Sequence, residues 1–190
     1  MSVAQEIGAR SRVEEIVRGL HPRTARETAL ESLDEIFRAG TAPSPSGFTP
    51  GKLLTTDIAG PVDGVARRIA ALWMPWLGKS FDQAASTGIN ILTPGSKSAV
   101  KMVWRNYEPV REAADAIEVF PFVTRHAPGE LDPQLEVLKI DYDSDANPSF
   151  IIRDILDELV QVDEGYYLGK ILFRRKGAWH RIGFFSLQDR

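Results

Sequence analysis

The feature that most constrains the fold is a series of short, β-rich runs that fills the chain after Phe81. Before that point apolar residues recur every three or four positions, as in helices, and after it the pattern favours strands. We predict strands at residues 89–92, 100–107, 117–124, 135–142, 150–162, 166–175 and 178–187. The run at 150–162 is the least clear, because part of it also fits a helix. Short, regularly spaced strands of this kind are typical of an antiparallel sheet.

The strongest turn signal in the chain is the pair Lys176-Gly177, which separates two apolar runs and predicts a β-hairpin. A long meander of strands leaves two open edges, and closure into a barrel removes both of them. We therefore predict a mainly β protein, an antiparallel β-barrel with helices packed on it or capping it. An open, curved sheet wrapped around a helix is the alternative.

The first 40 residues carry the pattern of two helices. Apolar residues at helical spacing from 13 to 20 predict the first helix, which ends before Pro22. Thr24 and Glu27 form a capping-box pattern that begins the second. Its apolar stripe comprises Leu30, Leu33, Ile36 and Phe37. We predict that residues 1–40 form a helical hairpin packed on the barrel.

The remaining residues are predicted to form one barrel domain. Residues 41–51 are rich in proline and glycine, which indicates a loop. The barrel domain is assigned to residues 51–190, and it includes a further helix near residues 62–74. Pro75 is expected to end or kink that helix.

Composition excludes several classes of function. The chain has 23 Lys and Arg against 26 acids, a net charge of −3, so we expect neither a nucleic-acid nor a membrane partner. It contains no cysteine, which excludes disulfides and thiol catalysis. The N-terminus lacks the apolar core of a secretory signal, and we expect a cytoplasmic protein. Homo-oligomer formation is left open.

Several segments share their order and spacing with a known family. They are Trp76-Leu77-Gly78-Lys79-Ser80-Phe81, Tyr142-Asp143, Leu168-Gly169-Lys170 and Phe184-Phe185. In these segments the chain resembles lipocalin-like proteins that carry a GXWXG motif and its companion domain of unknown function. The motif itself would fall at residues 51–55, where Gly51 is kept and the tryptophan and second glycine are absent. The resemblance implies a closed, calycin-like barrel whose interior can hold an apolar small molecule, and it implies no reaction.

No motif predicts a metal or a cofactor. The three histidines are scattered, and the chain has no GxGxxG, GxxxxGK[ST] or GxSxG sequence. Asp141, Asp143 and Asp145 imitate the opening of a calcium loop. However, Ala146 stands where that loop requires glycine, and Ile152 stands where it requires glutamate.

Polar residues within the predicted strands are the remaining candidates for chemistry. An ionisable group in a dry, apolar cavity has a shifted pKa, which suits cofactor-free acid–base catalysis. The catalytic candidates are Asp141, Tyr142, Glu158 and Lys170, and Asp157 belongs to the same group of polar residues. The ligand-binding candidates are Trp73, Trp76, Trp104, Tyr107, Tyr166, Phe173 and Phe184. In the alternative interpretation the charges lie at the barrel rims and the aromatic residues are core.

The leading functional hypothesis is that the barrel binds a small hydrophobic molecule, in one form as a cofactor-independent cyclase or isomerase. The first alternative is a non-catalytic carrier or sensor of an apolar ligand. The second is an interaction protein that binds its partner through the N-terminal helices. An enzyme requires an ionisable residue inside the cavity, whereas a carrier is expected to have an almost wholly apolar lining.

Overall fold

Nine strands and three α-helices form the described part of the chain, residues 8–19, 26–56 and 76–190, in a computed structural model. The helices are α1 (Ala9–Gly19), α2 (Arg26–Arg38) and α3 (Ser96–Val103). The strands are β1 (Gly47–Thr56), β2 (Trp76–Asp82), β3 (Thr87–Leu92), β4 (Arg111–Glu112), β5 (Ile117–Pro128), β6 (Glu136–Asp141), β7 (Ile155–Asp163), β8 (Tyr166–Arg175) and β9 (Ala178–Gln188). The predicted helix near 62–74 lies outside the described residues.

Eight of these strands close into an antiparallel barrel. Strand β1 pairs with both β2 and β9, and the ring continues through β8, β7, β6 and β5 to β3, which pairs back with β2. The short β4 pairs only with β5 and lies outside this ring. The predicted mainly β, antiparallel barrel is therefore confirmed, and the open-sheet alternative is wrong.

The closing hairpin is confirmed at the predicted residues. Lys176 and Gly177 have φ values of 50° and 79°, and a two-residue type I′ turn requires positive φ at both positions. Strand β7 begins at Ile155, so the strand interpretation of the ambiguous run was correct for its second half. The first half instead contains a 3₁₀ turn at Ile152–Asp154.

The proline- and glycine-rich segment at 41–51 was predicted as a loop, but strand β1 begins within it at Gly47. Residues 47–50 pair with β2 only, and pairing with β9 starts at Gly51. Pro50 therefore lies where β1 has a partner on one side, a position that does not need its missing N–H.

The predicted strand at 100–107 is wrong. Residues Ser96–Val103 form α3, and Trp104 follows it directly. Val100, Val103 and Trp104 are spaced at three and four residues, so a helix brings all three against the apolar core. Packing of this face outweighs the preference of valine and tryptophan for strands.

The helices α1 and α2 pack on the outside of the barrel. Their buried apolar residues form a cluster with outward-facing residues of the barrel wall. The helices contribute Val13, Leu30, Leu33, Ile36 and Phe37, and the wall contributes Val137, Val160, Tyr166, Leu168 and Phe184. A second cluster of buried apolar residues lies in the barrel interior. None of the helices in the described ranges is long and apolar enough to cross a membrane.

Candidate functional site

Two groups of polar residues, each built around a buried lysine, lie on opposite faces of the barrel wall. The inner cluster lies inside the barrel and consists of Lys79, Asn90, Tyr142 and Asp157. The outer cluster lies between α2 and the outer face of the wall, and it consists of Asp34, Arg38, Asp132 and Lys170. Both contain a lysine in contact with carboxylates, so their surroundings decide what each can do.

Strand geometry places the members of the inner cluster. Asp157 lies between Ile155 and Leu159 on the face of β7 that points into the interior core, because side chains two apart in a strand share a face. Tyr142 follows β6 and continues the inward face of Leu138 and Ile140. Strand β7 and the residue that follows β6 thus each place one polar group in an otherwise apolar part of the interior.

Lys79 is the centre of the inner cluster. Its Nζ lies 2.9 Å from Asp157 Oδ2 and 3.0 Å from Asn90 Oδ1, and it also donates to the hydroxyl of Tyr142. An ammonium group has three N–H donors, and these three oxygens satisfy them. The side chains of Lys79 and Asp157 are both fully buried, with 0% exposure.

Tyr142 and Asn90 complete the network. The Tyr142 hydroxyl donates to Asp157 Oδ2 at 2.9 Å, while Asn90 Nδ2 donates to that hydroxyl at 3.3 Å. Asn90 Nδ2 also donates to the Phe120 carbonyl at 3.1 Å, and Trp76 Nε1 donates to Asn90 Oδ1 at 3.2 Å. Phe120 has a φ of 51°, a conformation that is uncommon for a bulky residue. The backbone of β5 is therefore distorted at the point where it meets the cluster.

Four aromatic rings surround the Lys79 ammonium. Its Nζ lies 5.1 to 5.4 Å from the ring centroids of Trp76, Phe122, Tyr142 and Phe185. Cation–π attraction at such distances favours a positive charge at this position. The rings also exclude water, which strengthens every electrostatic interaction among the polar groups.

Three of these rings lie against glycines of neighbouring strands. A Cβ atom would come within 2.4 Å of the Trp76 ring at Gly51, 2.3 Å of Phe122 at Gly88 and 2.1 Å of Phe185 at Gly169. Only glycine leaves room for the rings at these points, so the aromatic shell depends on residues that carry no side chain.

Burial shifts the pKa values inside the barrel. Loss of solvation lowers the pKa of Lys79 from its ordinary value, against the opposing effect of the Asp157 charge. Burial, together with the same carboxylate, raises the pKa of Tyr142 well above its ordinary value. The tyrosine therefore keeps its proton and remains a hydrogen-bond donor at neutral pH.

The outer cluster joins α2 to the barrel. Lys170 Nζ lies 2.7 Å from Asp34 Oδ1 on α2 and 2.6 Å from Asp132 Oδ2 in the β5–β6 loop. Arg38 on α2 reaches Asp132 Oδ1 at 2.7 Å. Burial raises the pKa of Asp132, but its bonds to Lys170 and Arg38 outweigh that effect, and the pKa lies below its ordinary value.

The structure separates the four catalytic candidates. Tyr142 belongs to the inner cluster, and Lys170 belongs to the outer one. Glu158 is buried on the outer face, where its Oε1 accepts the Glu130 N–H at 2.6 Å and burial raises its pKa. Asp141 forms a surface ion pair with Arg125 at 2.7 Å.

The aromatic candidates are also divided between the two faces. Trp76, Trp104 and Phe173 are buried in the interior core, and Tyr107 packs against it. Tyr166 and Phe184 lie on the outer wall beneath the helices. Trp73 lies outside the described residues.

Sequence reasoning gave no role to Lys79 or Asn90. The helix predicted near residues 62–74 was expected to end or kink at Pro75, which left Lys79 beyond it without an assigned structure. The register of β2 shifts between Trp76 and Gly78, and this bulge breaks the alternation that marks a strand. The available signal was the Gly78-Lys79 pair between two aromatic residues, within the segment that carries the family resemblance.

A depression of about 350 Å³ lies at one end of the barrel. It is lined by the β2–β3 turn, by residues 124–126 of β5 and by two interior residues, Phe81 and Leu138. The Phe81 ring lies 5.4 Å from that of Phe122, which in turn contacts Lys79. Two aromatic rings therefore separate this depression from the inner cluster.

The described residues contain no group of three or more His, Asp or Glu side chains arranged to hold a metal ion. No protein-family model matches the chain, and no curated protein matches it. A crystal structure of a protein from Thermomonospora curvata is similar, with a TM-score of 0.54 over 96% of this chain and 98% of that one, at 18% identity. A likeness at this identity supports the fold and nothing further.

Proposed function

We propose that the barrel interior binds a small hydrophobic molecule beside the inner cluster, and that the protein is a cofactor-independent isomerase or cyclase. The observation that carries this proposal is a carboxylate, an ammonium group and a tyrosine hydroxyl held together without solvent exposure inside an aromatic shell. A simple carrier of apolar ligands has no use for such groups, which are costly to bury.

The cluster supports proton transfer. Asp157 is the base, and its Oδ2 is held by Lys79 and Tyr142. In an isomerisation a proton leaves one atom of the substrate for the carboxylate, the electron pair of the broken bond shifts, and the proton returns to another atom of the same molecule. No oxidant or reductant is required, and the aromatic rings supply an apolar surface that orients the substrate.

The end depression is the proposed route of entry. Phe81 and Leu138 belong both to its lining and to the interior core. Rotation of the Phe81 side chain would bring an apolar molecule to Phe122 and then to the inner cluster. The resemblance to calycin-like barrels, which hold apolar molecules inside, supports the same arrangement.

The other hypotheses remain predictions with less support. The apolar stripes of α1 and α2 are covered by the barrel wall, so a partner of these helices would have to use their polar faces. A cytoplasmic location and the lack of nucleic-acid and membrane partners also remain predictions.

Native mass spectrometry and solvent extraction of protein purified from its source test the binding proposal. The expected result is a retained apolar molecule in the wild type. The double variant Lys79→Met/Asp157→Leu should retain less of it, whereas Lys170→Met, which changes a buried lysine outside the barrel, should retain as much. Recovery of no molecule from the wild type would contradict the proposal.

Incubation of the extracted molecule with protein in D₂O separates an enzyme from a carrier. Acid–base isomerisation exchanges a carbon-bound proton for deuterium, and the mass of the molecule rises. We expect exchange with the wild type and none with Asp157→Asn. A tightly bound molecule that never exchanges would leave a carrier as the better description.

A further inference from the structure

The two carboxylate oxygens of Asp157 have different surroundings. Oδ2 accepts hydrogen bonds from Lys79 and Tyr142, each at 2.9 Å. Oδ1 is buried and has no hydrogen-bond partner among the described residues. A buried, charged acceptor without a partner is rare in proteins and requires an explanation.

The neighbouring donors are already engaged. The three N–H groups of Lys79 have three oxygen acceptors, and the single O–H of Tyr142 is directed at Asp157 Oδ2. Asn90 Nδ2 donates to the Phe120 carbonyl. In this arrangement each of these donors is directed at another oxygen, and Oδ1 receives none of them. The inner cluster therefore offers a ligand an acceptor and no donor.

We propose, on the basis of the function proposed above, that the ligand is an apolar alcohol, enol or phenol whose hydroxyl donates to Asp157 Oδ1. A hydrocarbon would leave Oδ1 unpaired. A ketone or an ether would place a second lone pair against the carboxylate. An amine would bring a second cation beside Lys79, in a site where one carboxylate already pairs with one ammonium.

Three naphthalene derivatives of similar shape test this inference on the full chain. 2-Naphthol carries a donor, 2-methoxynaphthalene carries only an acceptor, and naphthalene carries neither. Ligand-observed NMR titration measures their affinities. A hydrogen bond to a buried charge is worth a factor of about ten or more, so 2-naphthol should bind at least about tenfold more tightly than either analogue.

The Lys79→Met/Asp157→Leu variant should lose this preference while it keeps its affinity for 2-methoxynaphthalene. Lys170→Met is the matched control, because it changes a buried lysine on the outer face and should keep the preference. In the wild type, the side-chain carboxyl ¹³C resonance of Asp157 should shift with 2-naphthol and not with the ether. This last measurement does not depend on the folding of any variant.

Equal affinities for the three probes would overturn the hydroxyl inference and leave the proposed function standing. A preference that persists in the double variant would also overturn it, because the hydroxyl would then be recognised elsewhere. Absence of binding by all three probes, together with no retained molecule in the extraction experiment, would overturn both proposals.

Discussion

Lys79 and Lys170 are both buried in this protein, both pair with carboxylates and both contact aromatic rings, yet they differ in what their partners connect. Lys170 lies 4.3 Å from the Phe37 ring and joins β8 to α2 and to the β5–β6 loop. Among the described residues, the hydrogen-bond partners of Lys79 lie on barrel strands or directly after one, and backbone pairing already holds these strands in the sheet. The outer cluster thus fastens a helix and a loop to the barrel, whereas the inner cluster links strands that already belong to one closed sheet.

The two sites also differ in how their charges are balanced. Around Lys170, Asp132 bonds to both Lys170 and Arg38, and Asp34 lies near Arg181 as well as Lys170. Around Lys79 the described residues provide a single carboxylate, and one of its oxygens is unused. A buried ion pair is weak support for stability. The comparison teaches that a buried pair between strands of one closed sheet is better explained by what it can bind than by what it holds together.

The largest effect is expected when Asp157 is replaced by Leu. The Lys79 charge then remains buried without its Asp157 partner, and the free energy of unfolding should fall by about 3–5 kcal/mol. Adding Lys79→Met should recover most of that loss, because well-packed apolar residues often replace a buried pair without cost. Urea denaturation measures both. Equal losses in the single and double variants would show that packing, and not charge, is the cause.

Lys170→Met should have a smaller effect, about 2 kcal/mol, because Arg38 and Arg181 remain near the two carboxylates. The loss should be accompanied by faster hydrogen exchange in α2, the element that Lys170 holds to the wall. Arg125→Gln, which breaks the exposed pair with Asp141, is the control and should cost no more than about 1 kcal/mol. Unchanged exchange in α2 would contradict the structural task assigned to the outer cluster.

Tyr142→Phe should lower the free energy of unfolding by about 1 kcal/mol, because Lys79 and Asp157 still contact each other directly. Its effect on deuterium exchange of the bound molecule should be far larger than its effect on stability. If Tyr142→Phe keeps full deuterium-exchange activity, Tyr142 has no part in the proposed chemistry, and Asp157 alone is assigned the proton transfer.

The smallest effect has the opposite sign. Burial raises the pKa of Glu158, so its charged form opposes folding at neutral pH, and Glu158→Gln should stabilise the protein slightly there. The gain should vanish as the pH falls through the folded-state pKa toward the ordinary value of 4.5, because the wild-type group is then protonated in both states. Thermal unfolding at a series of pH values measures this. A gain that persists in acid would point to packing instead.

Much of the fold could be predicted from the sequence because its signals are local. The hairpin at Lys176-Gly177 depends on two adjacent residues, of which Gly177 readily adopts positive φ, and the apolar runs predicted on either side of it correspond to β8 and β9. The two N-terminal helices follow from their apolar stripes. Strands β1 and β2 were missed because Pro50 and the bulge before Gly78 interrupt their sequence patterns. Pro50 fits because β1 pairs only with β2 at that position, and the bulge fits because β3 pairs with β2 on both sides of it.

The candidate site depended on information that the sequence does not carry. Alternation along β7 shows that Asp157 and Glu158 lie on opposite faces, but barrel closure decides which one points inside. Likewise, Lys79 and Asp157 are far apart in the chain and meet only across the closed barrel. The sequence by itself determined the type of fold and a set of polar strand residues. Tertiary structure decided which of them share one dry, aromatic interior, because closure and register set the distances on which charge interactions depend.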